Sequence, residues 1–171
     1  MNIVLIGMMG CGKTTVAKEL AKQLSDFKYV DIDEEIEKST QKKISEIFLR
    51  HGEHFFRMLE TEKIQHFCKN DKQIISAGGG AFENTENRRI LSDKNLVIYL
   101  KTSPAEIYNR IKSETHRPLL KKNFSLEKIT EIIKNREPNY NKAHKIIDTD
   151  SKTPYNIAQE ILGVLNDRNK D

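Results

Sequence analysis

The chain has 171 residues, of which 37% are hydrophobic and 32% charged, so it reads as one globular domain with a real hydrophobic core. Its formal net charge of +4 is spread along the chain without a block of like charges. That excludes a basic nucleic-acid arm and suits an anionic small substrate.

The apolar start, MNIVLIGMMG, lacks a basic leader region and is far too short to span a bilayer. Ile3 to Ile6 therefore reads as a buried first strand, stopped by Gly7. Lys13 to Leu24 follows as a helix with Val16, Leu20 and Leu24 at spacing four, then Tyr29 to Ile32 as a second strand. Helical patterns cover Asp33 to Ser39 and Ile44 to Cys68, the latter broken near Gly52. Gln73 to Ser76 is a third strand that runs into Gly78, Gly79 and Gly80. Helix Asn84 to Leu91, strand Leu96 to Leu100 and helix Pro104 to Lys112 make the next unit. Ser113 to Phe124 is polar, lysine-rich and without period, which predicts a mobile loop. Helix Ser125 to Lys142, strand Lys145 to Asp148 and a helix from Pro154 to Asn166 complete the pattern.

Alternating strands and helices predict an α/β fold with a parallel sheet covered on both faces. No repeat, low-complexity run or linker divides residues 1–171, so one domain is expected. The two cysteines, Cys11 and Cys68, form no disulfide framework or zinc spacing and are expected as reduced thiols in a cytoplasmic protein.

Gly7 to Thr14 fits G-x-x-x-x-G-K-S/T at every fixed position, between a predicted strand and a predicted helix. Glycines allow a tight turn, successive amides form an anion-binding nest, and the helix start adds its positive dipole end. Lys13 would reach the β- and γ-phosphates, and Thr14 would offer a hydroxyl to Mg²⁺. This motif gives nucleotide phosphate binding but does not by itself separate a kinase from a GTPase or an ATPase.

Asp31 and Asp33 stand two apart at the end of the second strand, where they would share a face toward a ligand crevice. They could serve magnesium and an attacking hydroxyl; equally, an aspartate before a helix is a common N-cap. Arg57 and Glu60, three apart on a helix, make either an ordinary ion pair or a braced guanidinium for a carboxylate. The three consecutive glycines after the third strand suit a backbone that approaches a ligand. Ser76 ends that strand, where its hydroxyl could help hold magnesium through water. Arg117, in the loop, is placed for a closing lid, with Arg110 and Arg136 on the flanking helices.

Taken in order, GMMGCGKTT at Gly7 to Thr15, DID at Asp31 to Asp33, FRMLE at Phe56 to Glu60, AGGG at Ala77 to Gly80, RPLL at Arg117 to Leu120, REPNY at Arg136 to Tyr140 and IDTDSKTP at Ile147 to Pro154 resemble shikimate kinase along nearly the whole chain. The resemblance implies a three-layer P-loop kinase fold like that of the nucleoside monophosphate kinases: a five-stranded parallel sheet flanked by helices. It adds a substrate-binding helical segment at about 33–60 and a lid at about 113–124. It implies ATP-dependent phosphorylation of the shikimate 3-hydroxyl, giving shikimate 3-phosphate and ADP on the route to chorismate and the aromatic amino acids.

By that resemblance, Arg57 and Arg136 would bind the carboxylate and Asp33 would bind hydroxyls and prepare the attacking one. Gly78, Gly79 and Gly80 would line the ring, and Ile44, Phe48 and Phe56 would form its apolar side, with Glu60 steadying Arg57. Gly10, Cys11, Gly12, Lys13, Thr14 and Thr15 would cradle the phosphates, and Lys13 with Arg117 would stabilise the γ-phosphoryl group in transit. Thr14 would be a direct ligand of one Mg²⁺, with Asp31 and Ser76 acting through water. Arg110 and the loop Thr149 to Pro154, including Asp150 and Pro154, would hold the adenine, although Asp150 and Lys152 make that loop more polar than the family's run of small residues. The implied partners are shikimate and ATP, without nucleic acid, membrane or obligate protein partner, for a cytoplasmic monomer.

Two other readings compete: a kinase of another metabolite, gluconate-like or nucleotide, and a non-catalytic nucleotide-binding regulator. The pair Arg57 and Arg136 argues for an acidic acceptor. The presence together of Lys13, Thr14, Asp31, Asp33 and Arg117 argues against a degenerate copy.

Overall fold

All four residues of Ile3–Ile6 are buried, as an aliphatic strand requires when helices cover both faces of its sheet. In a computed structural model, which describes residues 1–113 and 125–168, this strand (β1) is the middle of a five-stranded sheet. The order is β2-β3-β1-β4-β5 and every pairing is parallel. The other strands are β2 (Lys28–Asp31), β3 (Gln73–Ser76), β4 (Leu96–Lys101) and β5 (Lys145–Asp148). The helices are α1 (Lys13–Gln23), α2 (Ile32–Thr40), α3 (Ile44–Phe67), α4 (Thr85–Ser92), α5 (Pro104–Ser113), α6 (Leu126–Tyr140) and α7 (Pro154–Arg168). A short 3-10 turn covers Ala81–Glu83.

Alternation along the strands divides the core into two layers. Ile3, Leu5, Ile98 and Leu100 pack with Leu20 of α1 and Ile161 of α7. Val4, Ile6, Val97 and Tyr99 pack with Ile36, Ile64 and Tyr140 on the other face. Each fully buried aliphatic side chain contributes about 1.5–3 kcal/mol to holding helices against the sheet. A third cluster joins α5 and α6 through Ile107, Ile111, Ile129 and Ile133, and Met8 of the glycine-rich loop packs into it. The glycine-rich loop is thereby seated on the same helix pair that carries Arg110 and Arg136.

The expected α/β architecture is the observed one, with local corrections. The second strand stops at Asp31 rather than Ile32, because the Asp31 carboxylate accepts from the Asp33 and Glu34 amides and starts α2 there. Asp33 consequently lies in a first helical turn, and the two aspartates do not share a strand face. The expected break in the long helix is present: Gly52 has φ 79° and ψ 173° inside α3. Asn84 and Ser125, read as first helical residues, are N-caps whose side chains accept amide hydrogens. The helix expected to reach Lys142 ends at Tyr140, and the last helix extends past Asn166 to Arg168. Ser113, expected in the loop, ends α5. The rest of the expected lid, with Arg117, lies outside the described residues. Among the described residues, no helix is long and apolar enough to cross a membrane.

Candidate active site

Parallel strands deliver their carboxyl ends to one edge, where open α/β sheets place their ligand crevice. Here Leu5, Ser76 and Asp31 are in register across β1, β3 and β2, so the loops that follow these three strands face one another. Together they open one cleft of about 1440 Å³.

The glycine-rich loop forms the floor. Gly12 occupies the N-cap position of α1 at φ 98°, a left-handed conformation that leaves no side chain over the helix start. Lys13 Nζ donates to the carbonyls of Gly7 (2.9 Å) and Met8 (3.2 Å), bridging the loop's two arms. The Arg110 guanidinium donates to the Cys11 carbonyl at 3.1 Å and to Glu106 at 2.9 Å, holding α5 against the loop.

Beside the loop, the Thr14 hydroxyl donates to Asp31 Oδ2 at 3.1 Å. Ser76 is buried directly across the β2–β3 pair from Asp31. Thr14, Asp31 and Ser76 make an all-oxygen set, the donor chemistry of a hard cation such as Mg²⁺. No group of three His, Cys, Asp or Glu among the described residues could hold a metal by itself.

The opposite wall carries the acidic and basic groups. Arg57 donates to Glu60 at 2.8 Å and to Glu53 at 3.2 and 3.3 Å. Glu60 is fully buried, so this is not the ordinary surface pair that the spacing alone suggested. Glu60 Oε1 and Asp33 Oδ1 are buried without a hydrogen-bond partner among the described residues. Burial pushes Asp33 up to about 6; Asp31 and Glu60 add to the rise, and Lys13 and Arg57 oppose it. Burial also raises Glu60, against the pull of Arg57. An unsatisfied buried carboxylate oxygen is costly, and two converging on one cleft mark a place for a ligand's hydroxyl hydrogens.

The triple glycine explains itself at this wall. A Cβ on Gly78 would sit 2.6 Å from Glu60 Oε1 and 3.1 Å from Asp33 Oδ1. A Cβ on Gly80 would sit 2.5 Å from an Arg57 nitrogen. Side chains there would fill the space between the acids and the arginine. Arg136 reaches the same segment from α6, donating to the Gly79 carbonyl at 3.1 Å.

The cleft is lined by the loop residues Gly10 to Thr15, by Asp31, Asp33, Ser76, Arg57, Glu60 and Gly78 to Gly80, and by Ile44, Phe48, Phe56, Arg110, Arg136 and Pro154. Asp150 is not brought in: its carboxylate accepts from the Ser103 amide at 2.9 Å and so ties down the start of α5. Lys152, paired with Glu160 at 2.7 Å, lines the cleft in its place. Sequence reasoning passed over several supports. Tyr29 donates to Asp31 at 3.1 Å from two residues earlier on the strand, a spacing that could have flagged it. Glu53 stands four residues before Arg57, also a readable spacing. Tyr140 donates to the Gly79 carbonyl across 61 residues, and no local pattern announces that bond.

A family model described as shikimate kinase matches residues 9–166. The chain is 44% identical to a shikimate kinase of Persephonella marina over 95% of its own length and 97% of the relative's. It is 44% identical to one of Thermodesulfovibrio yellowstonii over 94% and 92%. Among solved structures it resembles a shikimate kinase from Acinetobacter baumannii in complex with shikimate, with a TM-score of 0.90 and 34% identity over 98% of this chain and 93% of that one.

Proposed function

This chain belongs to the shikimate kinase family, and from that premise we propose that its cleft transfers the γ-phosphoryl group of ATP to the 3-hydroxyl of shikimate, with Asp33 as the residue that receives and aims that hydroxyl. The observation that carries the assignment is Asp33 itself. It is a half-buried carboxylate whose Oδ1 is sealed and without a hydrogen-bond partner among the described residues, its pKa is raised to about 6, and it shares one cleft with the glycine-rich loop and with Arg57 and Arg136.

The chain's own residues divide the work. Arg57, braced by Glu60 and Glu53, grips the acid's carboxylate with Arg136 as second anchor. Glu60 Oε1 and Asp33 Oδ1, facing Gly78, accept ring hydroxyls, while Ile44, Phe48 and Phe56 cover the apolar side. The hydroxyl oxygen of the acceptor forms its new bond to the γ-phosphorus as the bond to the departing ADP oxygen breaks, and Asp33 accepts the hydroxyl proton. The loop amides and Lys13 hold the phosphates in line, and Arg117 supplies a second positive charge to the group in transit. Thr14 would hold one Mg²⁺ directly, with Asp31 and Ser76 acting through water, and the ion would supply neutralisation of charge on the phosphate oxygens. Arg110 and the segment before Pro154 hold the adenine. The protein works as a cytoplasmic monomer of one domain, 1–171, in keeping with its unpaired thiols at Cys11 and Cys68.

The test is an ADP-release assay over a panel of hydroxy acids, polyols and nucleoside monophosphates. Turnover with shikimate is expected. Turnover confined to nucleoside monophosphates or to neutral polyols overturns the assignment.

A further inference from the structure

Asp31 is held by more donors than its strand position requires. Its Oδ1 accepts from the amides of Asp33 at 3.0 Å and Glu34 at 3.3 Å. Its Oδ2 accepts from the Thr14 hydroxyl and from the Tyr29 hydroxyl, each at 3.1 Å. The two amides fix one oxygen through the start of α2. The second oxygen depends on hydroxyls alone. A threonine hydroxyl has one hydrogen and rotates freely about its C–O bond, so it aims at Asp31 only while that oxygen is held still. The Tyr29 hydroxyl lies in the plane of a rigid ring, half-buried under α1, with the Lys18 ammonium 5.6 Å from the ring centre.

We infer that Tyr29 is a positioning residue for the cation side of the site: by occupying one acceptor direction of Asp31 Oδ2 it fixes the carboxylate, and through it the orientation of the Thr14 hydroxyl. The inference deepens the magnesium assignment above and rests on it. Partners of this kind, which orient a metal's holders without touching the metal, change affinity by roughly 10- to 100-fold when removed.

The experiment is a titration of the enzyme–ADP complex with Mn²⁺, followed by electron paramagnetic resonance, in wild type, Tyr29→Phe, Asp31→Asn and the double variant. Calorimetric titration with ADP in the absence of metal accompanies it. Tyr29→Phe is expected to weaken Mn²⁺ binding by about 10-fold, to leave metal-free ADP affinity and the KM for shikimate unchanged, and to add nothing once Asp31 is Asn. Unchanged Mn²⁺ binding in Tyr29→Phe, beside tight binding in wild type, overturns the inference alone. Equal weakening of metal-free ADP binding also overturns it, since that marks a general loosening of the fold. A wild-type complex that binds no Mn²⁺ overturns the magnesium assignment and this inference with it.

Discussion

The phosphate side of the cleft comes from eight consecutive residues, Gly7 to Thr14, whereas the acceptor side draws Asp33, Arg57, Gly78 to Gly80 and Arg136 from four separate elements. The first side acts mainly through backbone, with Lys13 bound back to its own loop. The second acts through charged side chains whose geometry depends on partners in other elements, as Arg136 does on Gly79. A contiguous loop stands or falls with one strand–helix junction. A dispersed wall can be damaged at any of several places, each with its own signature.

The largest break in that contrast is expected from Asp33→Asn. It removes the proposed proton acceptor from the dispersed side and leaves the loop intact, so kcat should fall by about 10²–10⁴-fold with ATP affinity nearly unchanged; fluorescence titration with a nucleotide analogue beside steady-state kinetics checks both. Stability should move the other way. The folded pKa of about 6 lies above the ordinary 3.8, so burial disfavours the ionised form and Asp33 destabilises the protein at neutral pH. That cost is full above pH 6, shrinks as pH falls between the two values and vanishes below them, and is on the order of 3 kcal/mol. Asp33→Asn should therefore raise Tm at pH 7.5 and lose the advantage near pH 4, readable by thermal melts across pH. In wild type the same ionisation predicts that kcat/KM for the acid falls as pH drops through about 6, while nucleotide binding does not follow it.

Next in size, Arg57→Ala should raise the KM for shikimate roughly 10- to 100-fold with a smaller effect on kcat. It also strands buried Glu60, so a loss of stability of about 3 kcal/mol is expected; denaturant unfolding separates the two effects. Gly80→Ala would drive a methyl group into the Arg57 guanidinium, so it should imitate the KM defect of Arg57→Ala without its full stability loss. The smallest effect belongs to Tyr140→Phe, because the Gly79 carbonyl still accepts from Arg136. A loss of about 0.5–1.5 kcal/mol in stability and a few-fold rise in the acid's KM would sharpen the claim that the acceptor wall is held from α6.

The same contrast explains what could be read in the chain alone. The strands and the loop motif were legible because their signals are local: an aliphatic run, a glycine spacing, a strand followed at once by a helix. Asp31 was legible as a helix cap, yet that it ends the strand instead of pointing from a strand face shared with Asp33 came from two amides that only the folded turn presents. The pair Arg57–Glu60 looked like surface chemistry, since spacing reports that two residues meet but not that Glu60 is sealed from water. Asp150 has a partner no local pattern announces: the Ser103 amide, 47 residues away, donates to its carboxylate. Tyr140 had no local signal because its partner is set by how α6 crosses the third strand's exit.

The strand order has a consequence for how such a protein can change. The phosphate loop leaves β1 at the hub, while the acceptor turn leaves β2 and the adenine-side turn leaves β5, the two outermost strands. Hub and rim nevertheless share a core: Ile3 and Leu5 of β1 pack in one cluster with Ile147 of β5 and with Ile157 and Ile161 of α7. A substitution within that cluster at the β5 margin is therefore felt by the strand that feeds the glycine-rich loop, so change at this margin is confined to residues outside the shared core.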